Sequence, residues 1–327
     1  MHLSELAAIA DCDTTSVIGL DPVVSGLAYD SRDVEPGFLF FAISGEVADG
    51  HEYAVDAMNS GASALVVERV LNVDLPQLVV PNTRIAMPKM AAEFAGNPSK
   101  NLSVVGVTGT NGKTTIVSML GAIAVAAGDD ALVIGTLTGT RTTPESVVLQ
   151  QRLAAAAAAG VDLVALEVSS HALVQHRVDN IDFAAVVFSN LSTDHLDYHD
   201  SMDDYFEAKA LLFEPGRSSR SVVWVGDPYG ERLAARLGDD SVTRVDDRLA
   251  KIEDLSTGGS TFGWRGHRIK LPIGGYFNVS NALLAAEVAV RIGYEEIDIV
   301  AGLGALPRIR GRFELVDQGQ DFAVIVD

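Results

Sequence analysis

Cysteine is nearly absent, with Cys12 the single one in 327 residues. One thiol cannot make an internal disulfide framework or, by itself, a thiolate metal site; Cys12 is expected to be a small buried apolar residue. Basic charge is also scarce, since 24 Lys and Arg stand against 44 Asp and Glu for a formal charge of −20. Without clustered cations a broad, sequence-independent grip on nucleic acid is excluded, and any phosphate must be bound locally. No apolar run approaches the ~20 residues of a membrane span. The first 13 residues carry early Glu and Asp in place of a basic flank and an apolar core, so they do not read as a signal peptide. These absences predict a soluble, cytoplasmic protein with neither a nucleic-acid nor a membrane partner.

What is present is apolar sequence in short runs: 48% of the residues are hydrophobic, enough for two domains with real cores. In the first hundred residues, runs at 26–29, 38–43, 64–67 and 78–80 read as strands. Helical stretches at 53–59 and 85–94 end in Ser60-Gly61 and Gly96-Asn97-Pro98, the second of which is a candidate linker. From 102 onward, β-branched runs without polar alternation (102–107, 131–135, 163–168, 184–188, 222–225) read as strands covered on both faces. Helical patterns at 115–127, 147–159, 205–213 and 230–237 lie between them. The expected fold class is therefore α/β: a small N-terminal α/β domain and a central, doubly wound, mostly parallel sheet.

The reactive residues fall at strand ends. The loop Gly109-Thr110-Asn111-Gly112-Lys113-Thr114-Thr115 follows one strand, Glu167 closes another, residues 190–199 follow a third and Asp227 a fourth. Open α/β sheets bind ligands beyond the carboxyl ends of their strands, so one crevice is expected to collect them. A glycine loop between strand and helix suits phosphate: its amides turn toward an anion, Lys113 brings a cation and Thr114 a hydroxyl for Mg²⁺. The spacing departs from the general phosphate-loop pattern, because Val107 stands at the first-glycine position. Glu167, in an apolar strand, needs either a Lys or Arg partner or a second role as Mg²⁺ ligand. His195 is the better Mg²⁺ candidate in the stretch 189–199, where a zinc cluster is disfavoured for want of Cys; Asp197 and His199 read as loop-ordering residues. Ser201 opens a capping-box-like helix start, and Lys209 on that helix would ordinarily be solvated. Ser169, Ser170 and His171 lack the nucleophile elbow of a hydrolase.

These residues resemble the Mur ligases of peptidoglycan synthesis, most closely the branch that joins a third amino acid to UDP-N-acetylmuramoyl-L-alanyl-D-glutamate. The resemblance runs along the whole chain, through Asp30-Ser31-Arg32, Asp49-Gly50-His51, TGTNGKTT, Thr142-Thr143-Pro144, EVSSHALVQHRV and FSNLSTDHLDYH, with YFNVSN (276–281) and RGRFE (310–314) after them. It implies a uridine-binding domain over 1–98, an ATP-binding domain over 99–308, and over 309–327 the start of a third, Rossmann-like domain, which the chain leaves at Asp327. It also implies that Lys113 and Thr114 hold ATP phosphates and Mg²⁺, that Glu167 and His195 are Mg²⁺ ligands, and that Lys209 is carbamylated by CO₂ into a carboxylate-like ligand. Thr142, Thr143, Ser169, Gln175, Arg177, Ser31, Arg32 and His51 match positions for the muramyl dipeptide and its uridine diphosphate, and Asn278, Arg312 and Asp327 match positions around ATP. The implied reaction is ATP-dependent: an acyl phosphate forms and is attacked by an amino acid, diaminopimelate or lysine, whose identity the third domain would specify. The resemblance further implies that the activating half of the ligase is here and that this stretch alone does not complete ligation. Two other readings remain at this stage: a non-catalytic nucleotide-precursor binding module, and a sister ligase, either dipeptide-adding or a folate polyglutamate synthetase.

Overall fold

In the computed structural model, residues 1–10, 17–45, 48–194, 198–238, 241–316, 318–320 and 322–327 are described. Cys12, His195 and Asp197, for which the sequence suggests roles, lie outside them. The chain divides into two compact units: the first holds 1–98 with 145–154 and 175–181, the second 99–144, 155–174 and 182–327. The two later segments of the first unit break the simple division at residue 98, and residues 309–327 stay within the second unit.

The first unit is built on a five-stranded sheet. Its strands are β1 (Val17–Ile18), β2 (Gly26–Ala28), β3 (Phe38–Phe41), β4 (Ala64–Val67) and β5 (Gln77–Val79), in the order β1-β5-β4-β3-β2. β2 to β5 run parallel and β1 is antiparallel to β5. Because side chains alternate across a strand, Leu39 and Phe41 of β3 join one buried cluster while Phe40 joins the other. A strand covered on both faces has no polar side to show, which is why this run is apolar throughout. The helices α1 (Leu3–Ile9) and α3 (Thr83–Phe94) supply one cover through Leu3, Leu6, Met87 and Met90, and α2 (Ala54–Asn59) supplies Ala54 and Ala57 to the other. Helix α3 begins two residues before the expected 85 because Asn82 caps it, its Oδ1 accepting from Arg84 N at 2.9 Å and Ile85 N at 3.2 Å.

The second unit holds a six-stranded, all-parallel sheet of β6 (Ser103–Thr108), β7 (Ala131–Ile134), β8 (Leu163–Glu167), β9 (Ala185–Phe188), β10 (Ser221–Trp224) and β11 (Val242–Val245). The order is β11-β10-β9-β6-β8-β7. From β6 the chain steps outward through α4 (Lys113–Ala127) to β7 and returns through α5 (Ser146–Ala158) to β8. It then passes α6 (Ser170–Val174), crosses to β9 on the other flank of β6, and continues through α7 (Met202–Ala210) and α8 (Pro228–Leu237). The order thus reverses between β6 and β9, where a crevice opens past the strand ends.

A part with no counterpart in the strand and helix reading seats one face of this sheet. Strands β12 (Lys251–Leu255), β13 (Ser260–Trp264) and β14 (His267–Leu271) form an antiparallel sheet. Phe262, Trp264, Ile269 and Leu271 from it share a core with α4, α9 (Tyr276–Ile292) and α10 (Glu296–Gly304). Residues 314–326 add an antiparallel pair, β15 (Glu314–Val316) with β16 (Val324–Val326).

Candidate functional site

Beyond the carboxyl ends of β6, β8 and β9 lies a cavity of about 710 Å³. The phosphate-type loop leaves β6 and enters α4 through Gly112, an N-cap in the left-handed region at φ +86°. A side chain there would also meet Asn281, whose Oδ1 would lie 2.3 Å from the added Cβ. With no side chain capping α4, the amides of its first turn have no intrahelical acceptor and form a natural anion seat at the positive end of the helix. The loop itself is tied down from β9: Thr110 N donates to Asn190 O at 2.9 Å, Asn111 N to Asn190 Oδ1 at 3.0 Å, and Ser189 Oγ to Asn111 O at 2.5 Å.

Lys113 Nζ folds back on its own loop, donating to Gly109 O at 2.7 Å and Thr110 O at 2.8 Å. Burial pushes its pKa below the usual lysine range, against the attraction of Glu167. Lys209 is the clearest correction to the sequence picture of a solvated helix residue, since it is 1% exposed. Ser201 Oγ caps α7 by accepting from Asp204 N at 3.1 Å, and the helix so started turns Lys209 inward. Its Nζ donates to Gly109 O at 2.9 Å and lies 4.3 Å from the centroid of the Tyr205 ring. Burial first, then the charge of Lys113, drives the Lys209 pKa well below its ordinary value.

Glu167 closes β8, 1% exposed. Its direct hydrogen-bond partners are hydroxyls and an amide, while the Lys113 charge acts on it without a direct bond. Its Oε2 accepts from Thr114 Oγ1 at 3.1 Å and Thr136 Oγ1 at 3.2 Å, and its Oε1 accepts from Thr136 N at 3.0 Å. Arg312 Nη2 donates to Thr114 Oγ1 at 3.2 Å. One carboxylate and two hydroxyls, all oxygen, suit a hard cation such as Mg²⁺ beside a phosphate seat. Among the described residues no cluster of three or more His, Cys, Asp or Glu forms a metal site without further ligands.

The cavity wall thus unites Thr110, Asn111, Gly112, Lys113, Thr114, Thr115, Thr142, Glu167, Ser169, Arg312 and Asp327. Other residues singled out in the sequence stand behind it. Thr143 is fully buried, its Oγ1 donating to Glu167 O at 2.9 Å and accepting from Ser169 N at 3.1 Å. Asn278 is buried, donating through Nδ2 to Gly274 O at 2.7 Å and accepting from Asn281 Nδ2 at 3.1 Å. Asn281 is the member of that pair that reaches the wall, beside Phe277 and Trp224. Thr136, Asn281 and Phe277 were not singled out individually from the sequence. A helical period through 276–292 would have put Asn281, Phe277 and Ser280 on one cavity-facing end of α9. Asp227 also reaches the wall, where its Oδ1 caps α8 and burial raises its pKa. Ser170 is buried against His199 Nε2 at 2.9 Å and therefore offers no exposed nucleophile.

The first unit carries the remaining positions. Arg32 doubles back on Asp30, donating through Nε at 2.9 Å and Nη2 at 2.5 Å, beside Ser31 at the head of a short turn. His51 uses both ring nitrogens internally: Nε2 accepts from Glu68 N at 2.9 Å and Nδ1 faces Asp49 Oδ1 at 2.6 Å. The ring proton is therefore on Nδ1, and the side chain acts on any ligand only through the loop it holds. Arg177 pairs with Glu145 at 3.0 Å and with Gln175 Oε1 at 2.6 Å.

No helix among the described residues is long and apolar enough to cross a membrane. Residues 23–108 match the Mur ligase family catalytic domain and residues 107–289 the Mur ligase middle domain. A UDP-N-acetylmuramoyl-L-alanyl-D-glutamate–2,6-diaminopimelate ligase of Geobacillus thermodenitrificans (strain NG80-2) is 40% identical over 336 aligned positions, covering 94% of this chain and 68% of that protein. One from Streptomyces coelicolor (strain ATCC BAA-471 / A3(2) / M145) is 37% identical over 93% of this chain and 65% of its own length. A solved structure of such a diaminopimelate ligase superposes with a TM-score of 0.78 at 28% identity, over 90% of this chain and 65% of that one. The fold is also that of MurF from Acinetobacter baumannii, with a TM-score of 0.76 at 21% identity over 99% of this chain and 72% of that one. The chain spans about two thirds of the length of these relatives. A glycine loop entering α4 at the sheet's switch point, the oxygen cluster around Glu167 beside it and two matching domain models lead to one assignment: this chain belongs to the Mur ligase family.

Proposed function

We propose that the chain serves an ATP-dependent ligase that activates the free carboxylate of UDP-N-acetylmuramoyl-L-alanyl-D-glutamate for joining to an amino acid, diaminopimelate. The observation that carries this reading is the single cavity in which the first turn of α4, Lys113, Arg312 and the Thr114–Glu167 oxygen pair converge. In the proposed cycle ATP phosphates enter the seat at the start of α4, and Lys113 leaves the carbonyls of Gly109 and Thr110 to meet them. Arg312 stands where it can pair with the same phosphates, while the wall of Phe277, Trp224 and Asn281 takes the base. Asp327, on the rim, is assigned to the ribose.

Thr114, Glu167, His195 and a carbamylated Lys209 are the proposed Mg²⁺ ligands. Bound there, the metal would offset repulsion between phosphate oxygens and the attacking carboxylate. The Lys209 carbamate is supported by the chemistry of its amine. Burial favours the unprotonated amine, which attacks the carbon of CO₂; a N–C bond forms, one C–O π pair passes to oxygen and the nitrogen releases a proton. Thr142, Thr143 and Ser169 are assigned to the muramyl dipeptide, with Thr143 acting through Ser169. Ser31, Arg32, Gln175 and Arg177 are assigned to the uridine-linked part, with His51 holding their unit's loop. The carboxylate oxygen attacks the γ-phosphorus and ADP leaves; the incoming amine then attacks the acyl carbon, forming the amide C–N bond, expelling inorganic phosphate and releasing a proton. Alignment and fixed dipoles are the protein's main contribution.

The test is phosphate release by the ligase that contains this chain. Release should require ATP, Mg²⁺, the UDP-muramyl dipeptide and diaminopimelate together. Release indifferent to the dipeptide would overturn the substrate assignment, and tight dipeptide binding without any turnover would favour a binding module.

A further inference from the structure

The carboxylate of Glu167 sits in a cradle made by the turn that follows β7. Gly135 presents no side chain to it, and none would fit: a Cβ there would lie 2.1 Å from Glu167 Oε1 and 2.5 Å from its Cδ. The backbone of Gly135 is in turn fixed by Thr138, whose Oγ1 accepts from Gly135 N at 2.9 Å and lies 3.2 Å from Gly135 O. Next in sequence, Thr136 reaches both carboxylate oxygens, with its amide on Oε1 at 3.0 Å and its hydroxyl on Oε2 at 3.2 Å. The same hydroxyl lies 3.1 Å from Thr142 Oγ1.

The terminal torsion of a glutamate is broad and weakly two-fold, so an unsupported carboxylate turns freely. Of its roughly four lone-pair sites, three are occupied here, two by Thr136 and one by Thr114. The geometry points to Thr136 as a positioning residue that locks the Glu167 carboxylate in the orientation presenting its remaining lone pair to a divalent cation, and that joins it to the Thr142 segment. This inference rests on the proposed reading of Glu167 as a cation ligand. Outer partners of this kind are worth about 10- to 100-fold in metal affinity.

The experiment is a Mn²⁺ titration read by electron paramagnetic resonance, in the presence of a non-hydrolysable ATP analogue, on wild type, Thr136→Val, Thr136→Ser and Gly135→Ala. Thr136→Val keeps the shape and the amide but removes the hydroxyl, and it is expected to weaken Mn²⁺ binding by about 10-fold. Thr136→Ser restores the hydroxyl and should recover most of that loss, while Gly135→Ala should weaken binding by crowding the carboxylate even if the valine variant folds poorly. Melting temperatures close to wild type in the variants that bind weakly separate positioning from unfolding. Wild-type affinity in Thr136→Val, or a serine variant as weak as the valine one, overturns the inference and leaves the cation site standing. A wild type that binds no Mn²⁺ with the nucleotide overturns both.

Discussion

Lys113 and Lys209 share one hydrogen-bond acceptor, the carbonyl oxygen of Gly109, at 2.7 and 2.9 Å. Two ammonium groups that close, both shielded from water, repel strongly, and the one with fewer compensating contacts yields its proton. Burial and the neighbouring Lys113 charge hold the Lys209 pKa well below the lysine range, which favours the unprotonated, nucleophilic amine that the proposed carbamate requires. Lys209→Ala is expected to lose ligase activity by several orders of magnitude, with partial restoration by added short carboxylates. ¹³C-bicarbonate should give a carbamate resonance in wild type and none in the variant. The sign of the pH effect follows from the direction of the shift. The folded amine binds its proton only at lower pH than the unfolded one does, so acidification protonates it and the resonance fades. Folding stability also falls as pH drops from the unfolded lysine value toward the folded one. A resonance that grows on acidification, or full activity in the alanine variant, would remove the carbamate.

Gly112→Ala tests the phosphate seat without touching a charged group. A non-glycine residue in the left-handed region costs roughly 1–2 kcal/mol, and the added methyl would press on Asn281 Oδ1. The expected result is weaker ATP binding, by about 10-fold or more, with binding of the UDP-muramyl dipeptide unchanged. Equal loss for both ligands would mean that the variant acts by unfolding the unit.

The loop that this variant probes was legible because a glycine run between a β-branched strand and a helix is a local pattern. The same holds for the parallel strands, whose unbroken apolar runs reflect cover on both faces: residues 163–168 contain β8, and 222–225 take in all of β10 but its first residue. Lys209 was not legible as a buried residue, because its burial comes from the packing of α7 onto a loop a hundred positions earlier. The antiparallel sheet at 251–271 escaped for another reason. The edge strand β12 is exposed at every position, and its Lys251, Glu253 and Asp254 hide the alternation. Thr136 was invisible because a threonine in a turn has no pattern, and its meaning comes from Glu167, 31 residues away.

In the first unit, His51→Ala should act on stability before affinity. Glu68 N loses its acceptor, and a buried unsatisfied donor costs about 1–3 kcal/mol. Hydrogen exchange is the direct measurement, with the Glu68 amide losing protection in the variant. The neighbouring Asp49 gives a pH signature. Bonds from Arg69 first, and then from His51, hold its carboxyl far below the ordinary range. A carboxylate lowered on folding stabilises above its unfolded pKa, and the contribution is lost as pH falls through the folded value. Asp49→Asn should therefore lower the melting temperature at pH 7 and matter progressively less below about pH 4.

Glu287 is 4% exposed and accepts from Trp264 Nε1 at 2.9 Å, Arg265 Nε at 3.1 Å and Arg265 Nη2 at 2.7 Å. Removing the partner of a buried ion pair costs 3–5 kcal/mol when both members are dry. The Arg265 side chain, however, is 40% exposed, so solvent screening brings the expected cost of Arg265→Met down to about 1–2 kcal/mol. Much of that cost is the stranded carboxylate, not a lost attraction. It follows that adding Glu287→Leu to the Arg265→Met variant should recover part of the stability, whereas Glu287→Leu alone should be destabilising because Trp264 loses its acceptor and Arg265 keeps only Glu296. A double-mutant cycle on thermal unfolding of the second unit measures the coupling. Because α9 also carries Phe277 and Asn281 to the wall of the cavity proposed to hold the nucleotide, ATP affinity should follow the same order: weaker in each single variant, closer to wild type in the double. Strictly additive losses would show that Glu287 is neutralised by some other group and that the three side chains do not act as a unit.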